Sequence, residues 1–279
     1  MLRLLLLLLL IVSFSLSKEL ILASTYPIYY PLRYMADGRF DVDVLIKTKT
    51  DPHHYELKPE DARKLQKAKA LFYLGVEAWE ERLIRGPLKG KAIPLSVGMD
   101  LIKVNRYTDP HVWMSPKSYI SLVERVRDSL IKVDPSGSEH YRKKAEELIN
   151  LLRNLDQEYK RVLDSCKSRT VVITHLSLLY LGRDYSLEVV GLRGLHAEEE
   201  PRPSEVRKMV EKARNAGVKA VFYEIGHDER LAKRLAKEIG AKTLPLNTSL
   251  FPENAQDDYI SIMRKNLRSL SEGLSCQIR

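Results

Sequence analysis

At 279 residues, the chain is long enough for two lobes, each with a core of its own. Its formal net charge of +9 is spread over basic and acidic residues interleaved along helix-like segments. That pattern fits solvated faces with ion pairs and argues against a nucleic-acid groove.

Residues 1–17 read as a secretory signal and not as part of the fold. Arg3 supplies a basic start, Leu4 to Val12 form an unbroken apolar run, and Ser15 and Ser17 occupy the small-residue positions before a cut. The run is too short to span a bilayer comfortably, although an uncleaved N-terminal anchor is the alternative. No cysteine stands at the cut, so no lipid anchor is expected. The mature chain is expected to begin near Lys18 in a periplasm and not to span a membrane. Removing Arg3 takes 46 basic residues to 45 against 37 acidic ones, a net of +8.

Short apolar runs then alternate with longer amphipathic ones, the signature of α/β layers. "ELILAST", "VDVLIKT", "ALFYLG" and "KAIPLSV" read as strands in the first half. "RTVVITH", "SLEVVGL", "AVFYEIG" and "AKTLPLN" do so in the second. Helices are expected over Pro59 to Ala68 and Pro203 to Ala216, each opened by a proline whose missing N–H the first turn does not need. From Ser138 to Cys166, apolar residues from Ala145 to Leu163 recur every three to four positions behind the turn signal "DPSGS". One amphipathic helix of about seven or eight turns is the simpler reading, and two shorter helices broken near Asn150 and Asn154 the alternative. The expected architecture is therefore α/β. Two lobes, 18–137 and 167–279, each carry a mostly parallel sheet with flanking helices, and one long helix, 138–166, joins them. Cys166 and Cys276 suit a single disulfide in an oxidising compartment, or two separate thiols in a reducing one.

The chemistry lies in the histidines. A lone histidine is more often a surface or satisfied core residue than a ligand. Three have a better claim by position. His53 follows Asp51-Pro52 beyond a strand, His111 follows Asp109-Pro110 in "TDPHVWMSP", and His175 ends the strand "RTVVITH". Ligand sites of open α/β sheets form at such strand ends. In the repeated Thr-Asp-Pro-His, proline fixes its own φ and extends the residue before it, while the aspartate can hold the turn through nearby N–H groups.

With these landmarks the sequence resembles a known family. "TYPIYYPLRYMADGRFDVDVLIKTKTDPHHYELKPED", "DPHVWMSP", "VVITHLSLLYL", "EEEPRPSEVRKMVEKARNAGVKAVFYE" and "LAKRLAKEIGAK" follow, in order, those of the metal-binding solute-binding proteins of ABC importers, the ZnuA/TroA-like group. The likeness covers essentially the whole mature chain. It implies two lobes joined by a rigid helix, a zinc or manganese ion held between them, a permease and its ATPase as partners, and a monomer. It also implies that His53, His111 and His175 are the imidazole ligands, with His54 at a variable position. Many members have an acidic fourth ligand where this chain has Asn247, so Asn247 or a water is expected there.

Three imidazoles and one oxygen suit Zn²⁺ in a tetrahedral site. Manganese importers of the family tend to carry a carboxylate for the third histidine, so zinc is expected over Mn²⁺, with Cu²⁺ and Ni²⁺ as chemical competitors. The His- and acid-rich loop of some zinc members is missing from "GMDLIKVNRYT". Three histidines with an open position also describe a zinc hydrolase, for which Glu56 and Glu224 are the candidates to manage a proton. Both are read instead as groups that orient a ligand from behind, because no HExxH, phosphate loop or nucleophile elbow occurs. An adhesin on the same fold is the remaining alternative.

Overall fold

The computed structural model describes residues 18–47, 53, 55–84, 91–195, 202–227 and 229–277. The expected signal, 1–17, and His54 lie outside them. The chain opens with β1 (Leu20–Ala23), α1 (Tyr26–Ala36), β2 (Asp41–Val44), α2 (Pro59–Lys67), β3 (Ala70–Tyr73), α3 (Ala78–Ile84) and β4 (Ala92–Pro94). The four strands form one parallel sheet in the order β2-β1-β3-β4. A small antiparallel ribbon, β5 (Lys103–Val104) with β6 (Tyr107–Thr108), leads into α4 (Pro116–Val133) and α5 (Ser138–Asp164). Then follow β7 (Thr170–His175), α6 (Leu179–Tyr185), β8 (Glu188–Arg193), α7 (Pro203–Asn215), β9 (Ala220–Glu224), α8 (Arg230–Ile239), β10 (Lys242–Leu246) and α9 (Tyr259–Gly273). This second sheet is also parallel, ordered β10-β9-β7-β8. All eight strands expected from the sequence are present.

Side chains alternate across each sheet because strand residues point to opposite faces in turn. Ile21 and Ala23 of β1 enter a large central cluster, whereas Leu22 packs outward with Leu65 and Trp79. Val171 and Ile173 of β7 join the same central cluster, and Val172 faces Val210, Ala213 and Leu235 on the other side. Both sheets are thus covered on both faces, as parallel sheets require.

The linking helix α5 is one unbroken element of 27 residues, roughly 40 Å long at 1.5 Å per residue. Its buried stripe runs from Tyr141 through Leu148, Leu152 and Leu155 to Leu163, and belongs to the cluster that holds both sheets. Asn150 and Asn154 sit on its exposed side, where they do not interrupt the stripe. The helix stops at Asp164, two residues before the expected end. Cys166 there forms an antiparallel bridge with Cys276, and the structure joins the two as a disulfide. Among the described residues, no helix is long and apolar enough to cross a membrane.

Candidate metal centre

Each sheet begins with a central strand, sends the next strand to one side and the following one to the other. The crevice at the carboxyl ends where the order reverses is the natural ligand position of such sheets. In the second sheet that position lies between β7 and β9, whose last residues are His175 and Glu224. His175 Nδ1 lies 3.0 Å from Glu224 Oε2, and Ser177 Oγ donates to Glu224 Oε1 at 2.9 Å. His175 Nε2 lies 2.5 Å from the Leu195 carbonyl oxygen.

The first lobe supplies two more imidazoles from segments beyond its strands. His53 Nδ1 lies 2.7 Å from Glu77 Oε1, in the turn after β3. That turn is gathered by Glu80, a buried carboxylate that accepts the N–H groups of Leu74, Gly75, Val76 and Glu77 at 2.7–3.3 Å. Burial pushes the Glu80 carboxyl upward, and those N–H groups offset part of the shift. His111 follows Pro110, and Asp109 holds it twice. One Asp109 oxygen accepts the His111 backbone N–H at 2.9 Å and lies 2.7 Å from its Nδ1. This is the turn-holding role expected of the Asp in Asp-Pro-His; the equivalent Asp51 lies outside the described residues. The loop is also fastened to the second lobe. Tyr180 donates to the Asp109 carbonyl, Tyr259 donates to the Trp113 carbonyl, and Trp113 Nε1 donates to the Thr248 carbonyl, each at 2.8 Å.

The three rings meet edge to face, with centroids 5.0–5.2 Å apart and one nitrogen from each within 4.8 Å of the others. With Trp113 and Glu224 they line a cavity of about 20 Å³, closed on its other side by His227, Thr248 and Ser249. Such a space takes about one water-sized sphere, hence one ion. A carboxylate stands beside Nδ1 of every ring, the arrangement that orients the ring and keeps the proton on Nδ1 once an ion takes Nε2. An ion at His175 would take the place of the Leu195 carbonyl. Burial holds His111 below the ordinary histidine range, against the opposite pull of Asp109, so the ring is neutral and ready to ligate. Burial alone would raise Glu224, but the His175 ring beside it brings that carboxyl down to about 2.

The remaining expected residues fall elsewhere. Glu56 is exposed, and the place behind His53 belongs to Glu77. Asn247 is buried beside the cavity, but its Nδ2 donates to the Phe251 carbonyl at 2.9 Å and its backbone is clasped on both sides by the Asn266 amide. Its successors Thr248 and Ser249 form the wall instead. Sequence reasoning missed Glu77, Glu80 and His227. For His227 a signal existed, since "EIGH" follows a strand end, the criterion that singled out His175.

This site falls within a match between residues 21–273 and the profile of the family described as "Zinc-uptake complex component A periplasmic". The chain belongs to that family. A curated member, the high-affinity zinc uptake system protein ZnuA of Bacillus subtilis, is 29% identical over 91% of this chain and 87% of its own length. The zinc-binding lipoprotein AdcA of Streptococcus pneumoniae is 31% identical over 90% of this chain. The chain spans only 55% of that protein, about half the length of the AdcA relatives it matches. Among solved structures, a mutant, manganese-bound periplasmic metal-binding protein from candidatus Liberibacter asiaticus matches with a TM-score of 0.83. It is 25% identical and covers 92% of this chain and all of that one.

Proposed function

We propose that this chain captures a divalent transition metal, zinc before manganese, and hands it to an ABC permease whose ATPase drives import. The observation that carries the reading is the meeting of His53, His111 and His175, drawn from both lobes, around a cavity of about 20 Å³. Three imidazoles favour Zn²⁺ over Mn²⁺, which prefers carboxylate and water oxygen. A zinc-uptake family and the zinc-binding names of the curated relatives support that choice, while the manganese-bound neighbour keeps Mn²⁺ as the competitor to test. A cavity sized for one ion favours carriage over catalysis. In this reading the lobes are 18–137 and 167–279, and the protein works as a periplasmic monomer after loss of residues 1–17.

Chelator-treated protein titrated with Zn²⁺ and Mn²⁺ should bind one zinc ion per chain, release protons as it does so, and bind more weakly below about pH 6.5. His53→Ala, His111→Ala and His175→Ala should each weaken zinc by more than the roughly 10- to 100-fold cost of losing a supporting partner. Equal or tighter Mn²⁺ binding would overturn the zinc assignment, and full affinity in the three variants would overturn the site.

A further inference from the structure

The trio of imidazoles leaves one position of a tetrahedron to be filled, and the cavity wall narrows the choice. Glu224 has both oxygens engaged, one beside His175 Nδ1 and one accepting from Ser177. The Asn247 amide is held from both ends, with Nδ2 donating to the Phe251 carbonyl at 2.9 Å and Oδ1 accepting from Ser249 Oγ. Thr248 gives its carbonyl to Trp113 and its side chain to Glu224, and Ser249 Oγ donates to Asn247 Oδ1 at 3.4 Å. A hydroxyl is in any case a weak ligand beside imidazole for a borderline-soft ion. Among the described residues, His227 is the one further imidazole on the wall, and it is half-buried.

Its backbone is placed for the task. The His227 N–H donates to the Glu224 carbonyl at 3.1 Å, closing a four-residue turn directly off the end of β9. Gly226, third in that turn, has φ of +93°, a conformation that glycine adopts without the penalty a Cβ would bring. Ile225 N–H meanwhile donates to the Leu246 carbonyl at 2.9 Å, anchoring the turn to the neighbouring strand. The turn thus returns the chain over the cavity with the His227 Cα held in place. The ring itself is outside the set of nitrogens lying within 4.8 Å of one another, so side-chain rotation has to bring it in.

We infer that His227 is the fourth ligand, swinging onto the ion once His53, His111 and His175 have taken it. The inference rests on the proposed metal-capture reading and sharpens it to a site of four nitrogens, with specificity to match. Four imidazoles suit Zn²⁺, and Co²⁺ as its spectroscopic substitute, and give Mn²⁺ little of the oxygen ligation it favours.

The test uses the mature chain with Zn²⁺, Mn²⁺ and Co²⁺ in turn. His227→Ala and the longer polar His227→Gln should each weaken zinc at least about 10-fold, change Mn²⁺ little, and so narrow the zinc preference. The visible bands of the Co²⁺ form should shift as one nitrogen gives way to oxygen. His140→Ala is the control, because His140 Nε2 faces the Met35 carbonyl on α1 and should leave both readouts unchanged. Thermal melts of the metal-free variants establish that they fold, with the glutamine variant serving if the alanine one does not. Unchanged zinc affinity and an unchanged cobalt spectrum, with His111→Ala still abolishing binding, would overturn the fourth ligand and spare the site. Zinc binding that survives His111→Ala would bring down both.

Discussion

The two sheets share one strand order but deliver their parts of the cavity differently. In the second sheet the working groups are strand residues. His175 closes β7 opposite Arg193, and Glu224 closes β9 opposite Leu246, so the ladder of each sheet pair sets their spacing. Among the described residues, the first sheet contributes no strand residue. His53, Glu77 and His111 sit in the segments after β2, β3 and β6, where position comes from buried carboxylates that collect backbone N–H groups. One half of the site is therefore located by pairing and the other by Glu80 and Asp109. A sheet holds its geometry without help from the ion, whereas a carboxylate-gathered turn depends on a few hydrogen bonds.

If that contrast is right, removing the carboxylate on the sheet side should cost most, because His175 then loses the partner its rigid frame aims it at. Glu224→Gln should lower zinc affinity about 100-fold, and Glu77→Gln about 10-fold, because its turn can readjust. Competition titration of the two variants against one chelator measures this, and the opposite ranking would reverse the comparison. The acid stability of the metal-free protein probes the same pair. Glu224 is held at about 2, below its ordinary value of 4.5. Its stabilisation is complete above about pH 4.5 and is lost as pH falls through that window toward 2. The His111 ring is held below its ordinary 6.5, so the fold also loses stability as pH falls from 6.5 toward the lower folded value. Urea midpoints across this range should fall in two stages, and Glu224→Gln should remove only the lower one. The smallest effect is expected at Asn247. Asn247→Ala loses the bond to Phe251, about 1 kcal/mol of stability, and should change zinc affinity less than about 2-fold.

The layered fold was legible because its strands are short apolar runs and its linking helix a long periodic one. The helices α4 and α9 escaped notice, although both carry buried apolar residues at helical spacing, among them Leu122, Val126 and Leu130 in α4. The three central histidines were legible because each stands at or beyond a strand end, and two share a proline-fixed turn. What stands behind them was not. Glu77 is brought to His53 by a parallel strand crossing, which no local spacing records, and nearby Glu56 is carried out to solvent. Asn247 was found at the right address, but the direction of its side chain depends on Phe251 and Ser249, a contact made only in the folded loop.

The long helix has a kinetic consequence. One hydrophobic cluster runs from Ile21 and Phe72 in the first sheet, along Leu148, Leu155 and Tyr159 of α5, to Ile173 and Phe222 in the second. Tyr159 also donates to the Met263 carbonyl at 2.7 Å, riveting α5 to α9. Swinging the lobes apart would strip about 1.5–3 kcal/mol from each large apolar side chain uncovered. Parting the Leu195 carbonyl from His175 disturbs one polar contact and leaves that cluster in place. Access to the cavity is accordingly governed by small latches such as the Leu195 carbonyl on His175, with the spine left intact.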